Sequence, residues 1–209
     1  MYIEKLTDKV KKIAVIVAMN REEELLRGLP VTVVKAGIGK VNAAVAASEL
    51  IRTARPDIVI SSGCAGAMQS GICVGDIICA EEVAYHDVWC GIPNEPGQVE
   101  GFPTRFRCEP LSLAEPCHKG LIVTGDQFFI SREEDRRILS LYPDALAADM
   151  ESAAIAQVCC KLGVPFACIR TVSDVHTMDE SEHAAHYEGF WDELARKSFD
   201  TLKDIINSL

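Results

Sequence analysis

No two cysteines in this sequence form a Cys-x-x-Cys pair, no apolar run is long enough to span a bilayer, and only 6% of the 209 residues are aromatic. The nine cysteines are odd in number and scattered, which excludes a disulfide framework and a zinc site of paired thiols. Cys73, Cys79, Cys159, Cys160 and Cys168 lie in apolar runs and are expected to be small buried hydrophobes. Positive charge is short as well. With 21 Lys and Arg against 31 Asp and Glu, the formal net charge is −10, so nucleic acid is excluded as a partner. Residues 1–12 carry charges throughout and no apolar signal core follows them, which sets the expectation of a soluble, cytoplasmic protein with no membrane partner. Lys40 follows Gly39 without the spacing of a phosphate-binding loop, and the first apolar run leads into Ala18-Met19-Asn20-Arg21-Glu22 instead of a dinucleotide-binding glycine turn. His183 and His186, close to Asp179, Glu180 and Glu182, could share a helix face with a metal. A solvated polar segment explains them better, and neither metal nor cofactor is expected.

What the chain does have is 48% hydrophobic residues over a length that suits one α/β domain spanning 1–209. Ile13–Ala18, Val31–Lys35, Asp57–Ser62, Gly75–Val83, Leu121–Thr124, Ala145–Ala148 and Pro165–Val172 read as strands, mostly unbroken apolar runs of the kind buried on both faces. Between them, Lys40–Ala54 has a helix composition, and Ser131 with Glu134 has the spacing of a capping box for a helix to about Leu141. Ile155, Val158, Cys159 and Leu162 mark a buried helix stripe closed by Gly163, and a last helix from about Phe190 carries Leu194, Leu202, Ile205 and Leu209 inward. The alternation predicts a three-layer α/β/α sandwich around a mostly parallel, mixed sheet. Tyr85–Cys117 shows little periodicity and reads as a functional loop or lid.

Polar residues collect where strands end: Glu22, the small segment Gly63-Cys64-Ala65-Gly66, Asp149 and Glu151, then Ser173 and Asp174. In open α/β sheets such ends share one ligand-binding edge. In Ala147–Ala156, Asp149 and Glu151 point the same way on an extended strand end and Met150 points opposite. Acidic residues there could equally serve only the helix dipole and its free N–H groups. Several carboxylates with almost no cation suit hydroxyls and protonatable heterocycles better than phosphate. One carboxylate can accept both hydroxyls of a sugar diol, a protonated one can donate to a leaving ring nitrogen, and a third can take a proton from water.

The blocks AMNREEELL, KAGIGKVNAA, SSGCAGAM, VGDI, YHD, LIVTGDQF, ADMESAAIA and IRTVSD occur in this order over nearly the whole chain. Together they resemble the bacterial 5′-methylthioadenosine/S-adenosylhomocysteine nucleosidases, with their nucleoside phosphorylase-like fold. The resemblance implies hydrolysis of 5′-substituted adenosines, a nucleoside substrate and a homodimer. It implies Glu22 as the base that activates water and Asp174 as the acid that protonates adenine N7, supported by Ser173. Glu151 would hold the ribose hydroxyls, Met150 would pack on the sugar, Arg170 would orient Glu151, and Phe128 would stack on the purine with backbone near Phe129 reading its edge. Cys64 stands where the family usually has Ser, and Asp149 where it usually has Glu. Val88–Pro96, in the region that shapes the 5′ pocket, diverges. Two other readings remain at this point: phosphorolysis, for which Arg21 is the one candidate cation beside Met19, and a non-catalytic nucleoside-binding or storage protein.

Overall fold

The computed structural model describes residues 12–111, 117–128, 131–175 and 180–207. Eight strands form one sheet: β1 (Ile13–Val17), β2 (Thr32–Lys35), β3 (Ile58–Ala67), β4 (Ile77–Tyr85), β5 (Arg105–Arg107), β6 (His118–Thr124), β7 (Ala145–Asp149) and β8 (Phe166–Val175). Around it lie α1 (Asn20–Leu25), α2 (Lys40–Ala54), α3 (Arg132–Leu141), α4 (Ser152–Leu162), α5 (Glu180–Gly189) and α6 (Ala195–Asn207), with a π-helical turn over Phe190–Leu194. No helix among the described residues is long and apolar enough to cross a membrane.

The layers follow from alternation along strands such as β1, which is apolar throughout. In β1, Ala14 and Ile16 pack with Ala43, Ala47, Leu50 and Ile51 of α2 and with α4, whereas Val15 and Val17 pack with Phe199, Leu202, Ile205 and Ile206 of α6. Each Val, Leu, Ile or Phe side chain among them, taken fully from water, contributes about 1.5–3 kcal/mol. Both faces being covered, an alternating polar pattern would be destabilising, which is why the strands read as continuous runs. The expected sandwich is present, and its sheet is mixed. The strand order is β2-β1-β3-β7-β6-β4-β5, with β8 parallel to β3 and antiparallel to β4, so that β3, β7, β6, β4 and β8 close on themselves.

Several expectations are corrected. β3 does not stop at Ser62; pairing with β8 carries it through the small segment Gly63–Gly66 to Ala67. β8 likewise runs to Val175 and contains Ser173 and Asp174. α4 is buried on more than one stripe, with Ala153, Ala154 and Ala156 inside and Leu162 exposed. Of the five cysteines expected inside, Cys79, Cys159 and Cys168 are buried, and Cys73 and Cys160 are exposed. Leu209 lies outside the described residues.

Candidate active site

A cavity opens at the C-terminal ends of β1, β3, β7 and β8. It is lined by Ala18, Met19, Glu22, Ile38, Cys64, Ala65, Gly66, Gln127, Phe128, Ala148, Asp149, Met150, Glu151, Ser173, Asp174 and Tyr187. Four sequence-distant pieces meet there: parallel pairing brings the ends of β1, β3 and β8 to one side of the sheet, and the antiparallel β3–β7 contact, Gly66 opposite Ala148 and Ala67 opposite Ala147, sets the end of β7 beside that of β3.

Glu22 sits in the first turn of α1 and turns back, Oε2 accepting from the N–H groups of Ala18 at 2.8 Å and Met19 at 2.9 Å. A glutamate capping its own helix would stop there. Here Oε1 also accepts from Cys64 N at 3.0 Å, across the sheet on β3, and the side chain is buried. Burial pushes its pKa up; the nearby Arg170 guanidinium and the three N–H bonds oppose that without reversing it. Gly63 makes the approach possible. Its φ of +134° is glycine territory, and a Cβ there would overlap Glu22 Oε1 and lie 2.8 Å from Arg170 Nη1.

Glu151, at the N-cap of α4, accepts from Gly39 N at 2.9 Å. Burial pushes its carboxyl up to about 7, with Arg170 pulling the other way and Asp149 adding to the rise. Arg170, buried on β8, lies 2.7 Å from Asp149 and 3.8 Å from Glu151, so its closer carboxylate is Asp149. It also donates to Ser62 O, Ser61 Oγ and Ser152 Oγ. Burial alone would lower its pKa; the surrounding carboxylates, Asp149 foremost, more than reverse that and keep it charged. Asp149 is itself saturated, accepting from Thr124 Oγ1 at 2.6 Å, from the N–H groups of Glu151 and Ser152, and from Ser152 Oγ.

Ser173 and Asp174 are adjacent on a strand and both line the cavity. Neighbours on a regular strand face opposite ways. The β3–β8 register slips between Ala65 and Gly66, which pair with Val172 and Asp174, leaving Ser173 as the extra residue of a bulge. Such a bulge re-aims side chains. Ser173 Oγ then reaches Asp174 Oδ1 at 2.5 Å. The Cys64 thiol is held protonated, chiefly by burial and then by Glu22. Phe128 lines the cavity half-exposed; Phe129 lies outside the described residues.

A family model described as the phosphorylase superfamily matches residues 4–207. A 5′-methylthioadenosine/S-adenosylhomocysteine nucleosidase of Geobacillus sp. (strain WCH70) is 38% identical over 98% of this chain and 93% of its own length. The chain belongs to the 5′-methylthioadenosine/S-adenosylhomocysteine nucleosidase family. Solved members of the nucleosidase family agree. That of Neisseria meningitidis, in complex with methylthio-immucillin-A, superposes with a TM-score of 0.86 at 33% identity, covering 96% of this chain and all (100%) of the other. That of S. pneumoniae, with a transition-state inhibitor, gives 0.84 at 31% identity, covering 94% and 99%.

Relative to the sequence reading, this nucleosidase-family site adds three parts. Gly39 supplies its N–H to Glu151, and Tyr187 lines the cavity with its hydroxyl on Met19 Sδ at 3.4 Å. His183, expected in a solvated segment, is instead buried, its Nε2 lying 2.6 Å from Asp174 Oδ2; His186 is exposed. A faint signal existed: His183, Tyr187 and Trp191 recur every four residues, an aromatic stripe on one helix face.

Proposed function

We propose that this chain hydrolyses the N-ribosidic bond of 5′-substituted adenosines, 5′-methylthioadenosine and S-adenosylhomocysteine, releasing adenine and the 5′-thio-ribose, and that residues 1–209 act as one domain. The observation that carries the reading is a cavity lined by Glu22, Glu151 and Asp174 with no Lys or Arg among the described residues that line it. In the reaction the C1′–N9 bond breaks with its electron pair going to the base, and Asp174, supported by Ser173, gives its proton to N7. Water attacks the oxocarbenium-like sugar as Glu22 takes its proton, a carboxylate division of labour parallel to glycoside hydrolysis. Burial pushes the Glu22 carboxyl up, which makes its ionised form a stronger base and suits it to that role. Glu151 accepts the ribose hydroxyls, Met150 packs on the sugar, Phe128 stacks on the purine, and backbone near Phe129 reads the purine edge. Arg170 acts on Glu151 mainly by fixing Asp149, and Cys64 stands beside the base as a neutral thiol.

Phosphorolysis would need cations facing the substrate. Arg170 is buried against Asp149, and Arg21 faces Glu188 at 3.5 Å and the Trp191 ring at 5.5 Å. Chromatography of products made with and without phosphate decides the matter: adenine and a free reducing sugar are expected in both, and sugar 1-phosphate would overturn hydrolysis. Tight nucleoside binding with no adenine release would favour a storage protein instead.

A homodimer is part of the proposal. Ile38, Val41 and Val45 leave one side of the start of α2 exposed, and Ile38 also lines the cavity, so a second copy seated there would wall the site. Light scattering should give twice the chain mass; a monomer at working concentrations would remove this element. Nine free cysteines suit a reducing compartment, so we place the enzyme in the cytoplasm, in methionine salvage, a location that cell fractionation can contradict.

A further inference from the structure

Asp174 is held at both carboxyl oxygens, from two different elements. Ser173 Oγ reaches Oδ1 at 2.5 Å from the bulge in β8, and Nε2 of His183 lies 2.6 Å from Oδ2 from the first turns of α5. His183 is only 2% exposed. Its ring meets Phe128 edge-on at 5.1 Å between centroids, and Tyr187, one turn further, meets the same Phe128 ring at 5.0 Å. The imidazole is therefore seated by packing as well as by its contact with the carboxyl.

The terminal torsion of an aspartate is broad and weakly directed. The contact from the neighbouring Ser173 reaches Oδ1 and restrains the carboxyl plane from that side. A second contact, on the other oxygen and from another element, fixes the plane. Proton delivery depends on that orientation, because the donor has to meet the ring nitrogen within hydrogen-bond reach.

Resting on the hydrolytic reading above, we propose that His183 is a positioning residue for leaving-group protonation, its imidazole setting the orientation in which Asp174 hands its proton to adenine N7. As that proton moves and the C1′–N9 electron pair goes to the base, the carboxylate left behind receives hydrogen bonds from His183 Nε2–H and Ser173 Oγ–H.

The test compares two substrates. One is 5′-methylthioadenosine, whose base leaves with a proton. The other is 4-nitrophenyl 5-methylthioriboside, whose nitrophenolate leaves without one. For His183→Leu, which fills the space beside Phe128 without a polar contact, kcat on the adenosine should fall about tenfold or more with KM within about threefold, while kcat on the nitrophenyl riboside falls no more than about twofold. His183→Gln, whose amide nitrogen can reach Asp174, should return adenosine turnover to within about threefold of wild type. If His183→Leu does not fold, His183→Asn, polar but too short to reach Oδ2, takes its place. Equal losses on both substrates would reduce His183 to a structural role and overturn the proposal. So would an unchanged kcat on the adenosine, or a lower KM alone, the mark of a ring that merely obstructs the base. Asp174→Asn separates the two levels: if it keeps adenosine turnover, the acid assignment itself fails, and if it loses turnover while His183→Leu does not, only the role of His183 fails.

Discussion

The Arg170 guanidinium meets the Asp149 carboxylate at 2.7 Å with each side chain 1% exposed, a closer pairing than the 3.8 Å between Arg170 and Glu151. Removing one partner strands a buried charge. Asp149→Ala should therefore cost about 3–5 kcal/mol. In a chain of this length that lowers Tm by about 6–20 °C, read by calorimetry at neutral pH. A Tm within about 2 °C of wild type would show that the serines and backbone around Arg170 suffice without Asp149.

Gly63 is the second sensitive point, and its effect should be kinetic. Alanine at φ +134° is strained, and its methyl would displace the Glu22 carboxylate from Cys64 N. We expect Gly63→Ala to lower kcat at least about a hundredfold, the scale of a misplaced general base. Steady-state kinetics with a near-normal kcat would mean that Glu22 adapts or is not the base.

Direct replacement tests the roles themselves. Glu22→Gln and Asp174→Asn should each cut adenine release by about 10²–10⁴-fold and keep the fold, as seen by circular dichroism. Glu22→Gln also leaves one of three backbone N–H donors without an acceptor, so a modest loss of Tm is expected. In the wild type the raised pKa of Glu22 predicts that kcat/KM declines with falling pH through a value above an ordinary carboxylate. A limb at the ordinary value would contradict the burial argument.

Glu151 makes stability depend on pH. Its carboxyl is pushed up to about 7, so the fold binds that proton more tightly than the unfolded chain does. The resulting stabilisation is fully present below the unfolded pKa and is lost as pH rises through the folded one. A shift of this size corresponds to about 3 kcal/mol at most, lost between roughly pH 4.5 and 7. Glu151→Gln, which cannot titrate and can still accept from Gly39 N, should match wild type near pH 4.5 and exceed it in Tm at pH 8 without ligand. A Tm difference that stays constant across this range would refute the prediction.

The fold was legible where physics is local. Ile13–Val17 announces a buried strand by its unbroken apolar run, Phe166–Ile169 opens β8 in the same way, and Ser131 caps α3 through Glu134 N at 3.2 Å as its spacing implied. Of the site, Glu22, Glu151 and Asp174 could be found because carboxylates at strand ends are conspicuous in an apolar chain. What could not be read is what depends on pairing between distant segments. The slip at Ser173 exists only relative to β3, and the pairing of β8 with β4 leaves no mark in either strand. His183 looked solvated because its neighbours in sequence are polar, whereas its environment is set by Asp174 and Phe128.

The closure of β3, β7, β6, β4 and β8 also bears on how this protein avoids open-ended strand addition between copies at high concentration. With β8 paired on both sides, the strand order among the described residues ends at β2, of four residues, and β5, of three. β5 carries Arg105 and Arg107, and β2 ends in Lys35. Short, cationic margins offer a poor template for strand addition. A chain nearly half hydrophobic by composition thus keeps its stickiest backbone inside a loop of hydrogen bonds.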